Sequence, residues 1–293
     1  MRSLFAAAVL LGTSTLDAEI VIPAKRYTCV SGLCQEVLPI SSNLSAGNAL
    51  DVCSLVCGDG SLWPAPSGEF QISDTVIAFG GFDFAVSSAT SSSVSEVLNQ
   101  QFVELKRKLE SIGVRSESAQ TSSGSSSSPP VIPVHVSVQD PCHDALRLST
   151  DESYSLAIDA AKSGVTISAT TYYGARHALE TLSQLVARDE AQDAQFIVAT
   201  ANISDSPKFA YRGVMLDVSR NFLPVERIQS VIQAMAANKL NTLHLHLSDT
   251  SSFPMHVPSE PNVTIYGAYS QKMSYSEVCR IFACLCHCPT IVQ

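Results

Sequence analysis

Between Tyr211 and Pro254 the chain reads as strand, helix, strand, and this order constrains its fold more than any single motif does. Gly213 to Val218 is a short apolar run, as expected of a strand covered on both faces. Pro224 suits the first turn of a helix, where its missing N–H leaves nothing unsatisfied. After it Val225, Ile228, Val231, Ile232, Met235 and Ala236 form one apolar stripe, with Glu226, Arg227, Gln229, Ser230 and Gln233 on the opposite face. Asn238 is a suitable stop. Leu243, Leu245 and Leu247 then alternate with His244, His246 and Ser248, which predicts a strand with one apolar and one polar face. Strands joined through a helix pair in parallel, and in βα architectures the residues just past the carboxyl ends of the strands build the active site. Arg220 and Asp249 stand at those two ends.

Three segments carry a resemblance: RGVMLDVSRNFLP, MAANKLNTLHLHLSDTSSFP and, upstream, YYGARHALETLSQL. They are similar to glycoside hydrolase family 20, the β-N-acetylhexosaminidases. HLSDTSSFP, together with CVSGLCQ at Cys29 and SLWPAPSG at Trp63, resembles the arthropod chitinolytic branch, so the likeness spans most of residues 27–278. Where the family usually has tryptophan between its two histidines, this chain has Leu245. The resemblance implies an α+β amino-terminal domain followed by the start of a (β/α)8 TIM barrel, incomplete in this chain. It implies that Arg220 hydrogen-bonds hydroxyls of the terminal sugar, a task suited to the fixed fork of a guanidinium, and that Asp249 lies in the same pocket. Arg212, at the amino end of its strand, is read as structural. The substrate implied is an N-acetylhexosamine-containing oligosaccharide, with no metal or cofactor; enzymes of the family are often dimers, which leaves a homodimer open for the complete enzyme, and the sequence itself does not fix the oligomeric state.

Family 20 chemistry is substrate-assisted. A glutamic acid protonates the glycosidic oxygen while the sugar's own acetamido carbonyl attacks C1, and a neighbouring aspartate orients that group. The family carries the two acids as an Asp-Glu dipeptide in a His-x-Gly-Gly-Asp-Glu setting, which this sequence lacks. Asp151-Glu152 and Asp189-Glu190 precede the barrel without glycines or a leading apolar strand, so both read as solvated turns. Glu260 and Glu277 have no suitable setting either, and no catalytic residue is assigned. Because a (β/α)8 barrel takes about 250 residues, a segment beginning at residue 208 of 293 holds two strands and a further helix start at Ser274 to Val278. The expectation is a truncated gene model, a splice variant or a read-through, ending in an aberrant cysteine-rich tail over 279–293.

In that tail Cys279, Cys284, Cys286, His287 and Cys288 are crowded at one end of the chain, unlike the two separated ligand pairs of structural zinc sites. His244 and His246 share a strand face, where satisfied interior histidines are the commoner case. No metal site is assigned. A formal net charge of −9 argues against a nucleic-acid partner, and Lys106, Arg107 and Lys108 read as the solvated face of a helix from Val94 to Ile112.

Arg2, the apolar run Leu4 to Gly12 and the small residues through Ala18 have the layout of a secretory leader over 1–18. Elsewhere the roughly 20 apolar residues that a membrane span needs are missing. Asn43, Asn202 and Asn262 open glycosylation sequons, which fits export to an extracellular or lysosomal compartment. Cys29, Cys34, Cys53 and Cys57 form an even cluster in a cystine-stabilised segment over 19–65, and any of the three possible pairings suits the spacing. Cys142 is isolated, and Trp63 reads as packed core. An α+β domain follows over 66–207, with strands at Phe70 to Ile72, Val76 to Phe79, Val131 to Val138 and Val165 to Ala169. Its two helices are expected near Val94 to Ile112 and Tyr173 to Val186, and Ser116 to Pro130 reads as a flexible loop. The barrel segment occupies 208–278. Two functions remain open: an exo-acting β-N-acetylhexosaminidase of which this chain is an inactive fragment, or a secreted non-catalytic isoform that binds sugar or other subunits.

Overall fold

A computed structural model describes residues 25–37, 47–58, 62–114, 129–141, 146–275 and 291–292. The expected leader, Asn43, the stretch Ser116 to Ser128, Cys142 and the cysteines from Cys279 to Cys288 lie outside the described residues.

The amino-terminal segment is a hairpin of β1 (Tyr27–Val30) and β2 (Leu33–Glu36), followed by helix α1 (Leu50–Val56). Ser31 and Gly32 turn the hairpin at φ 52° and 78°, the left-handed pair that matches the twist of adjoining strands. Cys29 and Cys34 lie directly opposite each other across the hairpin. Cys34 nevertheless bonds to Cys53 within α1 and Cys29 to Cys57 just past its end. Closing loops of this size stabilises the segment by about 3 kcal/mol per bridge. Val52 and Leu55 of α1 enter the main core. Arg26 donates to Asp189 Oδ2 at 2.6 Å and to the Gly47 carbonyl at 2.8 Å, fastening the segment to the domain behind it. Asp189 is therefore wholly buried and paired, not part of a solvated turn, because a cation from another segment reaches it.

The middle of the chain contributes β3 (Phe70–Ile72), β4 (Val76–Phe79), β5 (Gly81–Val86), α2 (Ser92–Ser111), β6 (Val131–Val138), β7 (Tyr154–Asp159), β8 (Gly164–Ala169), α3 (Tyr172–Ser183), β9 (Val186–Asp189), β10 (Ala194–Val198) and β11 (Thr200–Asp205). Six strands pair in the order β3-β11-β7-β8-β6-β5, and β4-β10-β9 form a smaller sheet. Strands β5–β6 and β6–β8 are parallel, and the other pairs are antiparallel. Alternation along β6 turns Ile132, Val134, Val136 and Val138 inward. They share one core with Leu98, Phe102 and Leu105 of α2 and Ala178, Leu179 and Leu182 of α3. Helix α3 sits so close that a Cβ on Gly174 would stand 2.1 Å from the Ser153 carbonyl oxygen. Strands β5, β9, β10 and β11 are additional to those expected; the TANISD of β11, with polar outward positions, carries little hydrophobic pattern. Helix α3 also ends earlier than its apolar stripe suggests: Val186 is buried as the first residue of β9.

The last part comprises β12 (Gly213–Asp217), α4 (Val225–Ala237), β13 (Thr242–His246), α5 (Pro261–Gly267) and β14 (Ile291–Val292). Strands β12 and β13 pair in parallel from Gly213 opposite Thr242 to Asp217 opposite His246. The stripe of α4 buries Ile228, Ile232 and Met235 against Val218, Leu243 and Leu245. Coverage of β12 on both faces does not hold: Met215 is 59% exposed and His244 is exposed beside it, because one helical layer covers one face only. Ile291 and Val292, assigned to an aberrant tail, pair in parallel with Thr242 and Leu243 as a third strand. Among the described residues no helix is long and apolar enough to cross a membrane.

Two buried polar clusters join this unit to the α+β domain. Lys239 lies just past α4 at φ 55°, a left-handed conformation that costs a side-chain-bearing residue about 1–2 kcal/mol. It is 6% exposed, and its Nζ donates to Tyr154 Oη at 2.9 Å, Thr181 Oγ1 at 2.9 Å and Asp205 Oδ2 at 3.1 Å. Asp205 also accepts from the Ser67 backbone N–H at 2.8 Å. In the second cluster Glu152 Oε2 accepts from Arg212 Nη2 at 2.5 Å and from His177 Nε2 at 2.8 Å. Arg212 also donates to the carbonyls of Lys239 and Phe209, so its guanidinium is taken up by structure. Glu152 is 6% exposed and is not in a solvated turn either. The isolated dipeptide gives no sign of this, because both cations arrive from elsewhere in the chain.

Burial is the largest influence on Glu152 and favours its neutral form, but the hydrogen bonds from His177 and Arg212 outweigh it and hold the carboxyl below its ordinary value. Burial dominates at His177 and lowers it to about 4 despite the Glu152 bond. Geometry gives the same answer: with Nε2 donating to Glu152, the buried Nδ1 has no hydrogen-bond partner among the described residues, so a second proton would be stranded there. Both folded-state values lie below the unfolded ones, so the unfolded chain binds more protons and stability falls on acidification. The His177 contribution is lost between pH 6.5 and about 4, and the Glu152 contribution follows as its carboxylate protonates.

Two outcomes are expected. Lys239→Ala strands Asp205 in the interior and lowers the free energy of unfolding by about 3–5 kcal/mol, read from urea denaturation. The imidazole of His177 stays neutral from pH 8 to pH 5.5 in a nuclear magnetic resonance titration, and a midpoint near 6.5 would contradict its burial.

Candidate active site at the ends of two parallel strands

Asp217 and His246, the last residues of β12 and β13, are register partners. Each chain direction then turns sharply. Asp217 Oδ1 accepts the backbone N–H groups of Ser219 at 3.1 Å and Arg220 at 2.9 Å, which folds the loop back and aims Arg220 across the strand ends. Asp249 does the same for its own loop, accepting from Ser251 at 2.6 Å and Ser252 at 3.4 Å. The loops are zipped by a reciprocal pair of buried bonds: Ser219 Oγ donates to the Ser252 carbonyl at 2.6 Å, and Ser252 Oγ to the Ser219 carbonyl at 2.5 Å.

This fold-back brings Arg220 and Asp249 together. Arg220 Nε donates to Asp249 Oδ2 at 2.6 Å, and Nη1 lies 3.3 Å from Asp217 Oδ2. The guanidinium is thus held between two carboxylates, while 64% of the Arg220 side chain remains exposed. Tyr269 Oη donates to the Arg220 carbonyl at 2.8 Å and steadies the backbone. The Ser251 backbone N–H is the strongest influence holding the Asp249 carboxyl below its ordinary value, with the Arg220 bond adding to it against a smaller opposing effect of burial. Asp249 therefore stays ionised through the neutral range and keeps the arginine oriented.

His246 Nε2 lies 3.8 Å from Asp249 Oδ2 and has no hydrogen-bond partner among the described residues. The ligand atoms of Asp217, His246 and Asp249 fall within 4.8 Å of one another, close enough for a cation, but the Arg220 guanidinium already bonds one of these carboxylates and sits beside the other. The sulfurs of Cys34, Cys53 and Cys57, also grouped, are engaged in disulfides. Asp217, Ser219, Ser252 and Tyr269 escape a reading of the sequence alone, although Asp217 two residues before Ser219 is an Asx-turn signal.

Other residues singled out by sequence lie elsewhere. Trp63 is 68% exposed and not packed core: its Nε1 donates to Asn238 Oδ1 at 2.7 Å, while Gln184 bonds both its backbone N–H and its carbonyl. An indole with a polar edge suits such a strap between α3 and α4 better than a filled core. Asn202 on β11 and Asn262 on α5 are exposed.

Comparison with known proteins decides the family. Residues 209–283 match "Glycosyl hydrolase family 20, catalytic domain", and residues 62–185 match "beta-acetyl hexosaminidase like". The chain belongs to glycosyl hydrolase family 20. It is 31% identical over 278 residues to a chitooligosaccharidolytic beta-N-acetylglucosaminidase of Ostrinia furnacalis, covering 94% of this chain and 46% of that protein. It is also 31% identical over 256 residues to the enzyme of the same name from Bombyx mori, covering 86% and 42%. Among solved structures, the chitobiase of Flavobacterium johnsoniae superposes with a TM-score of 0.60 at 26% identity, over 79% of this chain and 33% of that one. The chain thus spans less than half the length of the family 20 relatives it matches.

The loop zipper is directly testable. Ser219→Ala removes one of its bonds and leaves the buried Ser252 carbonyl without that donor, which is expected to cost about 1–3 kcal/mol in urea denaturation.

Proposed function

We propose that this chain carries the sugar-gripping half of a β-N-acetylhexosaminidase, an enzyme that releases terminal N-acetylglucosamine or N-acetylgalactosamine from chitin oligosaccharides or glycans by a substrate-assisted retaining route. The observation that supports it is the Arg220 guanidinium, clamped by Asp249 and Asp217 at the carboxyl ends of adjacent parallel strands with its outer edge open. A pyranose presents neighbouring hydroxyls, and a guanidinium fixed in orientation donates to two of them at once. Asp249 serves as the positioning residue: it fixes the fork so that little freedom is lost when sugar arrives.

The same reading makes the chain by itself a binder and not a catalyst. Both Asp-Glu dipeptides have other duties, since Glu152 and Asp189 are buried in ion pairs remote in sequence from the strand ends. Proton donation to a glycosidic oxygen needs a carboxylic acid within reach of it. The proposed organisation is a cystine-stabilised segment over 19–65, an α+β domain over 66–207 and the first βα units of a barrel over 208–278, entering a secretory route through residues 1–18. The paired disulfides and the exposed Asn202 and Asn262 suit that route.

Saturation-transfer magnetic resonance on the expressed chain is expected to show N-acetylglucosamine binding that Arg220→Ala weakens by about tenfold or more, the worth of one hydrogen bond to a charged group. A chromogenic N-acetylglucosaminide is expected to stay intact. Binding unchanged in Arg220→Ala would overturn the assignment of the pocket, and turnover would overturn the assignment of the chain as a binder.

A further inference from the structure

Helices α2 and α3 pack on one another in the main core, and α4 belongs to the separate smaller core. Between them lies a cavity of about 560 Å³, within the range of small-molecule sites. Leu105 of α2, Leu179 of α3 and Ala236 and Ala237 of α4 give it apolar walls, and the two alanines leave open the space that larger residues would fill. It adjoins the carboxyl-terminal half of α4, whereas Arg220 precedes the amino-terminal end of that helix, so the cavity is separate from the proposed sugar pocket.

Arg176 of α3 lines the cavity, is 8% exposed, and has no hydrogen-bond partner at Nε among the described residues. The other charges there are spoken for: Lys108 pairs with Glu180, and Arg107 with Glu104 at 2.5 Å. A buried guanidinium whose Nε has no hydrogen-bond partner and that makes no ion pair among the described residues suits an anion, because its fixed fork of donors fits a carboxylate with two parallel bonds. Glu104 and Glu180 in the same lining would repel a doubly charged phosphate, so a single carboxylate is favoured over one. The apolar walls require that this carboxylate carry a hydrocarbon body.

We propose that the cavity between α2, α3 and α4 binds a small organic acid, its carboxylate on Arg176 and its apolar chain along Leu105, Leu179, Ala236 and Ala237. The acid bridges the α+β domain and the first barrel helix, since α4 supplies one wall.

Calorimetric titration of the full chain with octanoate, below its micellar concentration, tests this. Octanoate is expected to bind at least tenfold more tightly than octanol or octyl phosphate, and Arg176→Gln, with its fold checked by circular dichroism, to weaken it at least tenfold. Ala237→Phe, which fills the space while leaving Arg176 in place, is expected to abolish binding and decides the matter should Arg176→Gln fail to fold. Absence of octanoate binding, equal binding of octanol, tighter binding of octyl phosphate, or indifference to either substitution overturns the proposal. None of these results depends on N-acetylglucosamine binding at Arg220.

Discussion

Lys239 holds the two halves of the molecule together. The β12-α4-β13 unit has a single helical layer and a small core of its own, so it gains stability by leaning on the larger α+β domain. The lysine reaches across from a left-handed turn and places its ammonium among Asp205, Tyr154 and Thr181, all from the other domain. Beside it Arg212 reaches Glu152 and His177. Each cluster takes charges out of water, which is unfavourable unless every donor and acceptor is met. The charged groups of both clusters are paired, which favours one relative placement of the two units, although His177 Nδ1 has no partner among the described residues.

That placement governs the strand ends. Parallel pairing of β12 with β13 sets Asp217 opposite His246, and the Asx turns after them swing Arg220 onto Asp249. Nothing in this arrangement needs the arginine to be buried. It is anchored by charge at one edge and left in solvent at the other. The electrostatics of the two regions therefore differ: at the domain junction the charges are buried in pairs, and at the strand ends the Arg220 guanidinium is paired yet largely exposed.

Legibility in the sequence varied with the range of the interactions involved. The βαβ unit was readable because helical and alternating periods are local, and the stripe Ile228, Ile232, Met235 forms its core as the spacing implies. Arg220 and Asp249 were readable from their places after two such strands and from family resemblance, and the structure brings them into contact. Trp63, Glu152 and Asp189 were misread for one reason. Each is defined by partners far away in the chain, Asn238 and Gln184 for the first, Arg212 and His177 for the second, Arg26 for the third. An isolated dipeptide or indole carries no record of them. Strands such as β9 and β11 were missed because sheet pairing with non-neighbouring segments, not their own propensity, makes them strands.

Sequence by itself determined the parallel βαβ unit, the apolar stripes and the residues available at the strand ends, since these follow from periods of two and 3.6 residues and from where polar side chains interrupt them. Tertiary structure decided which cysteines bond, which acids are buried, where Ile291 and Val292 add a strand, and that a cavity lined by Arg176 lies between three helices. The physical reason is burial. Whether a charge is a solvated ornament, a structural pair or a free donor depends on what the rest of the chain brings to within 3 to 4 Å of it, about the reach of a charge-assisted hydrogen bond or ion pair.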